Sequence, residues 1–238
     1  MATLTLRDAT VFGAGYDFSA DLNEVGLDFS CTELDDSAFG DTFRSRIGGM
    51  ADSDFMMKGW WQSASLNAPD PQITTNFSVA NTVMTISPDG TDGSVAYFMR
   101  RISLDYSIGD KVDTVLPFSL TGKGSDGYGP QRGKLLKPKT TVSGNTNGTA
   151  VQLGAVSSTA YLYTSIHVFS AGTTCDVIVE SDDNSGFTSG TTRSTTTVTA
   201  AGGTWVTRVA GAITDDWWRV RTANVTGSFS IAVAVGIR

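Results

Sequence analysis

The residues best suited to chemistry are one histidine, two cysteines and several clusters of carboxylates. His167 lies in an alternating aromatic and aliphatic run, which predicts a strand and a satisfied or partly exposed histidine rather than a general base. A Ser/His/Asp triad needs a nucleophile and an orienting acid beside the imidazole, and no motif around His167 indicates them. Cys31 and Cys175 lack the C-x-x-C spacing of zinc sites, and core thiols are favoured over a disulfide.

Two acidic groups are dense enough for a hydrolase that uses a pair of carboxylates. They are Glu33/Asp35/Asp36/Asp41 and Asp215/Asp216. Strand ends and turns account for such clusters in most all-β chains, so we predict no catalytic residue, no metal ligand and no cofactor. The segment Asp182–Gly186 matches part of a calcium loop, but the final glutamate is absent and a turn is favoured.

Hydrophobic residues recur with a period of two over most of the chain, which is typical of strands. Phe229–Ile237 is the cleanest case, and Val25–Cys31 is expected to be a half-buried strand. Turn clusters such as Ser87–Gly90 separate the strands at intervals of about 8–12 residues. The fold class is therefore predicted as all-β, with one short helix possible around Trp60–Asn67. No membrane span and no secretory signal are expected.

The net charge of −7 is unevenly distributed. Residues 1–137 carry 18 Asp/Glu and 11 Lys/Arg, whereas residues 138–238 carry 6 of each. A polar stretch rich in Ser, Thr, Gly and Asn begins at this point, so we predict two domains, 1–137 and 138–238. An acidic half is a poor surface for gripping nucleic acid, but it suits a wall past which nucleic acid slides.

Several segments occur in a characteristic order along the chain. The first half contains Ala38–Gly49, a strand ending in Trp60-Trp61, Ala96–Tyr106, a Gly-Asp-x-Val turn at Gly109–Val112, Leu116–Leu120 and Gln131–Leu136. The second half contains Gly148–Gly154, Tyr161–Tyr163, Asp182–Thr188, Trp217–Val220 and Gly227–Arg238. This order resembles the major tail tube proteins of long-tailed, siphovirus-like bacteriophages. The resemblance covers essentially the whole chain and rests on ordered segments rather than on one strict motif.

The resemblance implies a tail-tube β-sandwich or barrel over 1–137 and an outward-projecting β-sandwich or jelly roll over 138–238. It implies a structural virion protein, not an enzyme, that stacks as rings, usually hexameric, into the hollow tube through which DNA enters the host. Implied partners are copies of the chain and the tape measure, tail terminator and distal tail proteins. DNA would pass without specific binding, and no membrane is involved. The implied location is the virion tail, assembled in the host cytoplasm.

The resemblance also suggests assembly residues. Val95–Tyr106 and Val115–Thr121 resemble the hairpin that lines the lumen or closes the ring. Candidate lumen acids, with solvated hairpin ends as the alternative, are Asp105, Asp110 and Asp113. Aromatic residues and arginines concentrate at interfaces. Candidate contacts between rings or subunits, with folding over their own domain as the alternative, are Phe39, Phe43, Arg44, Arg46, Arg100 and Arg101.

Alternatives stay open on the sequence alone. One is a carbohydrate- or receptor-binding virion module, in which Trp205, Trp217 and Trp218 form a platform for sugar rings. Alternation predicts that only one of Trp217 and Trp218 faces the core. Another is a hydrolase of cell-surface polymer that uses Glu33 and Asp36. For the tube itself, a trimer with pseudo-sixfold symmetry is the alternative to a hexamer.

Overall fold

A computed structural model describes residues 8–40, 42–109, 111 and 115–238. The described residues form antiparallel strands and one short helix, which confirms the all-β prediction. No helix among them is long and apolar enough to cross a membrane. The first strands are β1 (Thr10–Gly13), β2 (Tyr16–Asp17), β3 (Leu22–Asp35), β4 (Arg46–Trp60), β5 (Thr82–Ser87), β6 (Val95–Ile108), β7 (Pro117–Gly124) and β8 (Gln131–Val142). The others are β9 (Thr146–Asn147), β10 (Val151–Gln152), β11 (Tyr161–Ser170), β12 (Thr174–Asp182), β13 (Thr191–Val198), β14 (Gly202–Trp205), β15 (Val209–Ala210), β16 (Trp217–Thr226) and β17 (Phe229–Ile237).

The chain divides into two compact units. The sandwich unit contains residues up to Ala20, Thr82–Arg100 and Pro130–Arg238, and the sheet unit contains Asp21–Asn81 and Arg101–Gly129. Strand β6 contributes residues to both units. Residue 137, where we placed a domain boundary, lies within β8 of the sandwich unit, and the division into 1–137 and 138–238 stays a prediction.

The sandwich unit packs two antiparallel sheets around an aliphatic core. One sheet has the order β14-β11-β17-β8-β6-β5-β1-β2, and the other has the order β10-β16-β12-β13. Strand β17 is buried on both faces: Phe229, Ile231, Val233 and Val235 join the main core, whereas its alanines join a second cluster. The alternation predicted for Phe229–Ile237 is therefore confirmed. Its alanines are buried as well, because a second cluster packs against that face of the strand.

The sheet unit is a four-stranded antiparallel sheet of order β3-β4-β7-β6, in which β6 takes part through residues 101–108. Alternation along β4 buries Phe55 and Met57 on one face and leaves the intervening residues on the other. The helix, α1 (Pro69–Thr75), follows this strand. The helix predicted around Trp60–Asn67 is wrong, because β4 pairs with β7 as far as Trp60 and the helix begins at a proline, which is preorganised for the first turn.

The first strand of the sheet unit is more exposed than its pattern predicts. Val25 and Leu27 are half-buried, but Phe29 is 58% exposed and Cys31 is also exposed. The strand lies at the edge of the sheet, so sequence alternation alone did not reveal that its second half has no cover. Cys31 is thus not a core thiol, whereas Cys175 is fully buried and both cysteines are free.

Candidate assembly surface

Exposed large apolar side chains are confined to one of the two units. In the described parts of the chain, every large hydrophobic residue with high exposure belongs to the sheet unit, and the sandwich unit has none. Soluble monomers rarely expose many such residues together, so their concentration marks an interaction surface. These residues are Phe29, Leu34, Phe39, Phe43, Ile47, Met50, Trp60, Leu66, Phe77, Val79, Leu104, Ile108, Val115, Leu116 and Tyr128.

The charge is concentrated in the same unit. The sheet unit contains 14 Asp/Glu and 6 Lys/Arg, whereas the sandwich unit contains 10 Asp/Glu and 11 Lys/Arg. The negative charge that the sequence placed in the first 137 residues therefore belongs to the sheet unit, with balances of −8 and +1. A surface that is both apolar and acidic suits contact with protein rather than with nucleic acid.

The second half of β3 and the first half of β4 form a two-stranded arm, residues 28–52. Almost every residue of the arm is exposed, including those on both faces of the ribbon. A two-stranded ribbon is only marginally stable in water without further cover. The arm therefore presents the apolar side chains of Leu34, Ile47 and Met50 as a candidate interaction surface.

The loop at the end of the arm and the first residue of β4 carry four of the predicted contact residues. Phe39 is fully exposed and Phe43 is 88% exposed. Arg44 lies 3.9 Å from an Asp35 carboxylate oxygen, and Arg46 forms an ion pair with Glu33 on the opposite strand. All four of these charged side chains are also about half exposed or more, so they fix the ribbon and still reach solvent. Their role between rings stays a prediction.

One face of the four-stranded sheet is polar and acidic. Strand register aligns Asp28 with Asp54 and then Lys123, and it aligns Glu24 with Lys58. With Asp52 and Asp105, this face carries five carboxylates and two ammonium groups. We call it the acidic face and define it by Glu24, Asp28, Asp52, Asp54, Lys58, Asp105, Ser107, Ser119, Thr121 and Lys123.

The acidic face is concave at two places, where all four strands line a cavity. One cavity of about 260 Å³ lies among Asp28, Met56, Leu104 and Thr121. The other, of about 430 Å³, lies at the far end of the sheet from the arm and is called the end pocket. It is lined by Asn23, Glu24, Lys58, Gly59, Trp60, Ser107, Ile108, Gly109, Pro117, Phe118 and Ser119.

Ion pairs set the electrostatics of the acidic face. Lys123 Nζ lies 2.8 Å from both Asp52 Oδ2 and Asp54 Oδ1, and Lys58 Nζ lies 3.0 Å from Glu24 Oε2. The hydrogen bond from Lys123 lowers the pKa of Asp52, and the two aspartates raise the pKa of Lys123. With five carboxylates and two ammonium groups, the acidic face has a formal excess of three negative charges.

The structure describes one of the three predicted lumen acids. Asp105 is exposed on the acidic face, where Thr121 Oγ1 donates a hydrogen bond to it over 3.3 Å. Asp110 and Asp113 lie outside the described residues. The hairpin of β6 and β7 is present, but β7 lies inside the sheet, and the two edges belong to β3 and β6. A single bridge between Phe77 and Ser103 touches the β6 edge.

The remaining predicted contact arginines are engaged within their own units. Arg101 is 2% exposed, with its guanidinium carbon 4.8 Å from the centre of the Phe55 ring, and burial lowers its pKa to about 10. Arg100 lies over the ring of Trp205 at 5.8 Å. Arg101 is therefore not an exposed contact residue, because its side chain packs inside the sheet unit.

The three tryptophans proposed as a sugar platform do not form one surface. Trp218 is fully buried and its Nε1 donates to the Gly154 carbonyl over 2.8 Å, whereas Trp217 is half-buried on the opposite side of β16. Trp205 belongs to the other sheet and packs against Phe98. The predicted division between Trp217 and Trp218 is confirmed, but Trp218 cannot stack on a ligand.

Three of the residues considered for catalysis have structural partners, and Asp41 lies outside the described residues. His167 is 1% exposed, and its Nε2 lies 2.9 Å from Thr85 Oγ1, as expected for a core histidine. Asp215 accepts hydrogen bonds from Ser181 and Arg193, each over 2.7 Å, and these lower its pKa. Glu33 is held in its ion pair on the exposed arm. The described residues include no group of three or more His, Cys, Asp or Glu that could hold a metal.

A buried ionic cluster ties two strands of the sandwich unit together. Glu180 is 5% exposed and accepts hydrogen bonds from Arg219 Nε over 2.9 Å and from Arg221 Nε over 2.7 Å. Burial raises the pKa of Glu180, but the two arginines outweigh this effect and hold it below the ordinary value. The Arg219 guanidinium also covers the Phe187 ring at 4.2 Å. All side chains of the cluster are satisfied, so its role is structural.

Sequence reasoning missed the arm as an extended ribbon, the edge position of β3 and the end pocket. The first had a detectable signal, because strand-like residues of similar length flank the turn-rich segment 36–45. The other two depend on strands that pair across 57 or more residues, as between β4 and β7, and no local pattern encodes that pairing.

Comparison with known proteins gives distant structural similarity only. No family model and no curated protein matches the sequence. A chain from the virion of a native gene transfer agent particle is 12% identical, with a TM-score of 0.41 over 52% of this chain and 95% of that chain. A chain from the tail of an empty gene transfer agent particle with C6 symmetry is 12% identical, with a TM-score of 0.37 over 44% and 78%.

The third structure is the SPP1 Dit protein, described as a paradigm of the hub adsorption apparatus in phages that infect Gram-positive bacteria. It is 9% identical, with a TM-score of 0.39 over 97% of this chain and 99% of that chain. The chain is thus similar to proteins from gene transfer agent particles and from a phage adsorption apparatus. Since each TM-score is below 0.5, the function proposed next rests on the residues of this chain.

Proposed function

We propose that this chain is a structural tail protein that polymerises as stacked rings into the hollow tail tube of a long-tailed phage or a related particle. The observation that carries the proposal is the location of every exposed large apolar residue of the described chain in the sheet unit. A unit with this surface is built to be covered by other protein. No enzymatic activity is proposed.

Ring formation has a physical basis in the two edges of the sheet. Strand β3 and residues 101–108 of β6 are at opposite edges of the four-stranded sheet. Pairing the β3 edge of one copy with the β6 edge of the next joins the sheets and removes both edges. Six copies would give a barrel of about 24 strands, and barrels of 16–18 strands already enclose an aqueous channel.

The acidic face suits the wall of such a channel. Its three excess negative charges per copy repel DNA phosphates. The repulsion acts within about 8 Å at physiological ionic strength, so DNA in the channel meets it only near the wall. Residues 138–238, which carry six acidic and six basic residues, are proposed as the outward-projecting part.

Within this proposal the tube joins the tape measure, tail terminator and distal tail proteins in the virion tail and assembles in the host cytoplasm. Negative-stain electron microscopy across a concentration series, with mass measurement of discrete species, tests the proposal. Hollow tubes or rings with a central hole are the expected result, and their symmetry separates a hexamer from a trimer. Closed trimers without a channel would contradict it, as would monomers that do not elongate preformed tail tips.

A further inference from the structure

The sheet unit carries a protruding aromatic group at one end and a recess at the other. The protrusion is the arm tip, where Phe39 is fully exposed and Phe43 is 88% exposed. The recess is the end pocket, whose apolar wall includes Trp60, 44% exposed, and Ile108, 45% exposed. We propose that the arm tip of one copy docks into the end pocket of the copy in the next ring; this rests on the tube proposed above.

The two surfaces cannot meet within one chain. Strand β4 runs from Arg46 beside the tip to Trp60 in the pocket, and its 14 residue steps of an extended chain span about 45–48 Å. The aromatic residues at one end of this strand therefore reach only the pocket of another copy. A protrusion and a recess on different surfaces make a heterologous contact, which produces a filament when, as between stacked rings, the repeat does not close.

The charged residues around the arm tip are complementary to those around the end pocket. Beside the aromatic side chains, the tip presents Arg44 and Asp35, 3.9 Å apart and both largely exposed. The pocket rim presents Glu24 and Lys58, 3.0 Å apart and about half exposed. Each surface thus offers one charge of either sign, so docking lets Arg44 meet Glu24 and Lys58 meet Asp35 without leaving a charge unpaired.

The geometry also limits the distance between successive rings. If the strands tilt by 35–45° as in other barrels, the length of β4 projects to about 34–39 Å along the tube axis. The tip lies beyond Arg46, and three extended residues to Phe43 add at most about 11 Å, so a repeat longer than about 60 Å would exclude the contact because the tip would not reach the pocket.

Cysteine cross-linking in assembled tubes tests the contact. In a Cys31→Ser background, which removes the exposed thiol, Phe43→Cys chains and Ile108→Cys chains are mixed with an excess of unsubstituted chains, so that assembly does not depend on the changed residues. Mild oxidation is expected to give a covalent dimer of the two variants. The matched control replaces Ile108→Cys by Val79→Cys, which is 47% exposed in the same unit and outside the pocket.

The outcomes distinguish the docking contact from the tube itself. A dimer with Ile108→Cys and none with Val79→Cys supports docking. Tubes without the dimer, equal yields with both partners, or a dimer of Phe43→Cys chains alone would overturn it and leave the tube proposal intact. Absence of tubes from the unsubstituted protein under elongation conditions would instead refute the proposed function.

Discussion

Truncation of the arm-tip aromatic should weaken assembly without changing the folded chain. Phe39 is fully exposed in the single chain, so Phe39→Ala removes no contact there and should change the free energy of unfolding by less than about 0.5 kcal/mol. When a copy adds to a tube, the side chain becomes buried, which is worth about 1.5–3 kcal/mol for a phenylalanine. At 1.4 kcal/mol per factor of ten, its loss raises the critical concentration for elongation roughly 10- to 150-fold.

The assay pellets tubes grown from preformed seeds and measures the protein left in the supernatant, which at equilibrium is the critical concentration. Phe39→Leu is the matched control, because it keeps most of the apolar area and should lie much closer to the unsubstituted chain. A critical concentration for Phe39→Ala within twofold of the unsubstituted value would refute the reasoning. So would a large loss of thermal stability, since that would place the side chain inside the folded chain.

Other substitutions test the arm, the acidic face and the sandwich unit. Reversing the charges with Arg44→Glu and Arg46→Glu should abolish polymerisation and leave a folded monomer by circular dichroism; tubes of unchanged length would contradict this. Asp105→Lys reduces the excess on the acidic face from three negative charges to one, so these tubes should retain more DNA than unsubstituted tubes at 50 mM salt in co-sedimentation and differ little from them at about 500 mM, because screening removes the difference; equal retention at 50 mM would place Asp105 away from the lumen. The pKa of Glu180 is lowered from its ordinary value of 4.5, so the carboxylate stabilises the fold at pH values above 4.5, and this stabilisation is lost as the pH falls through the lowered pKa. Glu180→Gln should therefore flatten the dependence of melting temperature on pH. Trp218→Ala should cost about 3–5 kcal/mol in urea unfolding because the side chain is fully buried, and a cost below 1 kcal/mol would contradict the packing.

The alternation of apolar and polar residues along each strand predicts much of the fold. It fails where the residues that bury a strand come from a distant part of the chain. The run Phe229–Ile237 and the opposite orientation of Trp217 and Trp218 were predictable, because side chains in a strand alternate between its faces. The same rule gave Val25–Cys31 as half-buried, yet Phe29 and Cys31 are exposed. Alternation identifies which residues share a face, but not whether another layer lies over it.

The candidate site shows the same division. The loop with Phe39, Phe43 and its arginines stood out because apolar side chains interrupt a turn-rich segment, and the structure leaves both aromatic side chains exposed. Arg101 looked equivalent to those arginines, but it is buried against Phe55. The sequence of a strand does not show whether an arginine side chain faces solvent or packs against an aromatic ring of a neighbouring strand.

The sequence by itself determined the all-β class, the orientation of side chains within most strands and the excess of acid in the first 137 residues, because these depend on local pattern and composition. Only the tertiary structure decided that strands from both ends of the chain share the sandwich unit, and that the acid and the exposed apolar residues share the sheet unit. Both results depend on pairing between strands that are distant in sequence. Hydrogen bonds between β4 and β7 join residues more than 55 positions apart, and the acidic face exists only once they have formed.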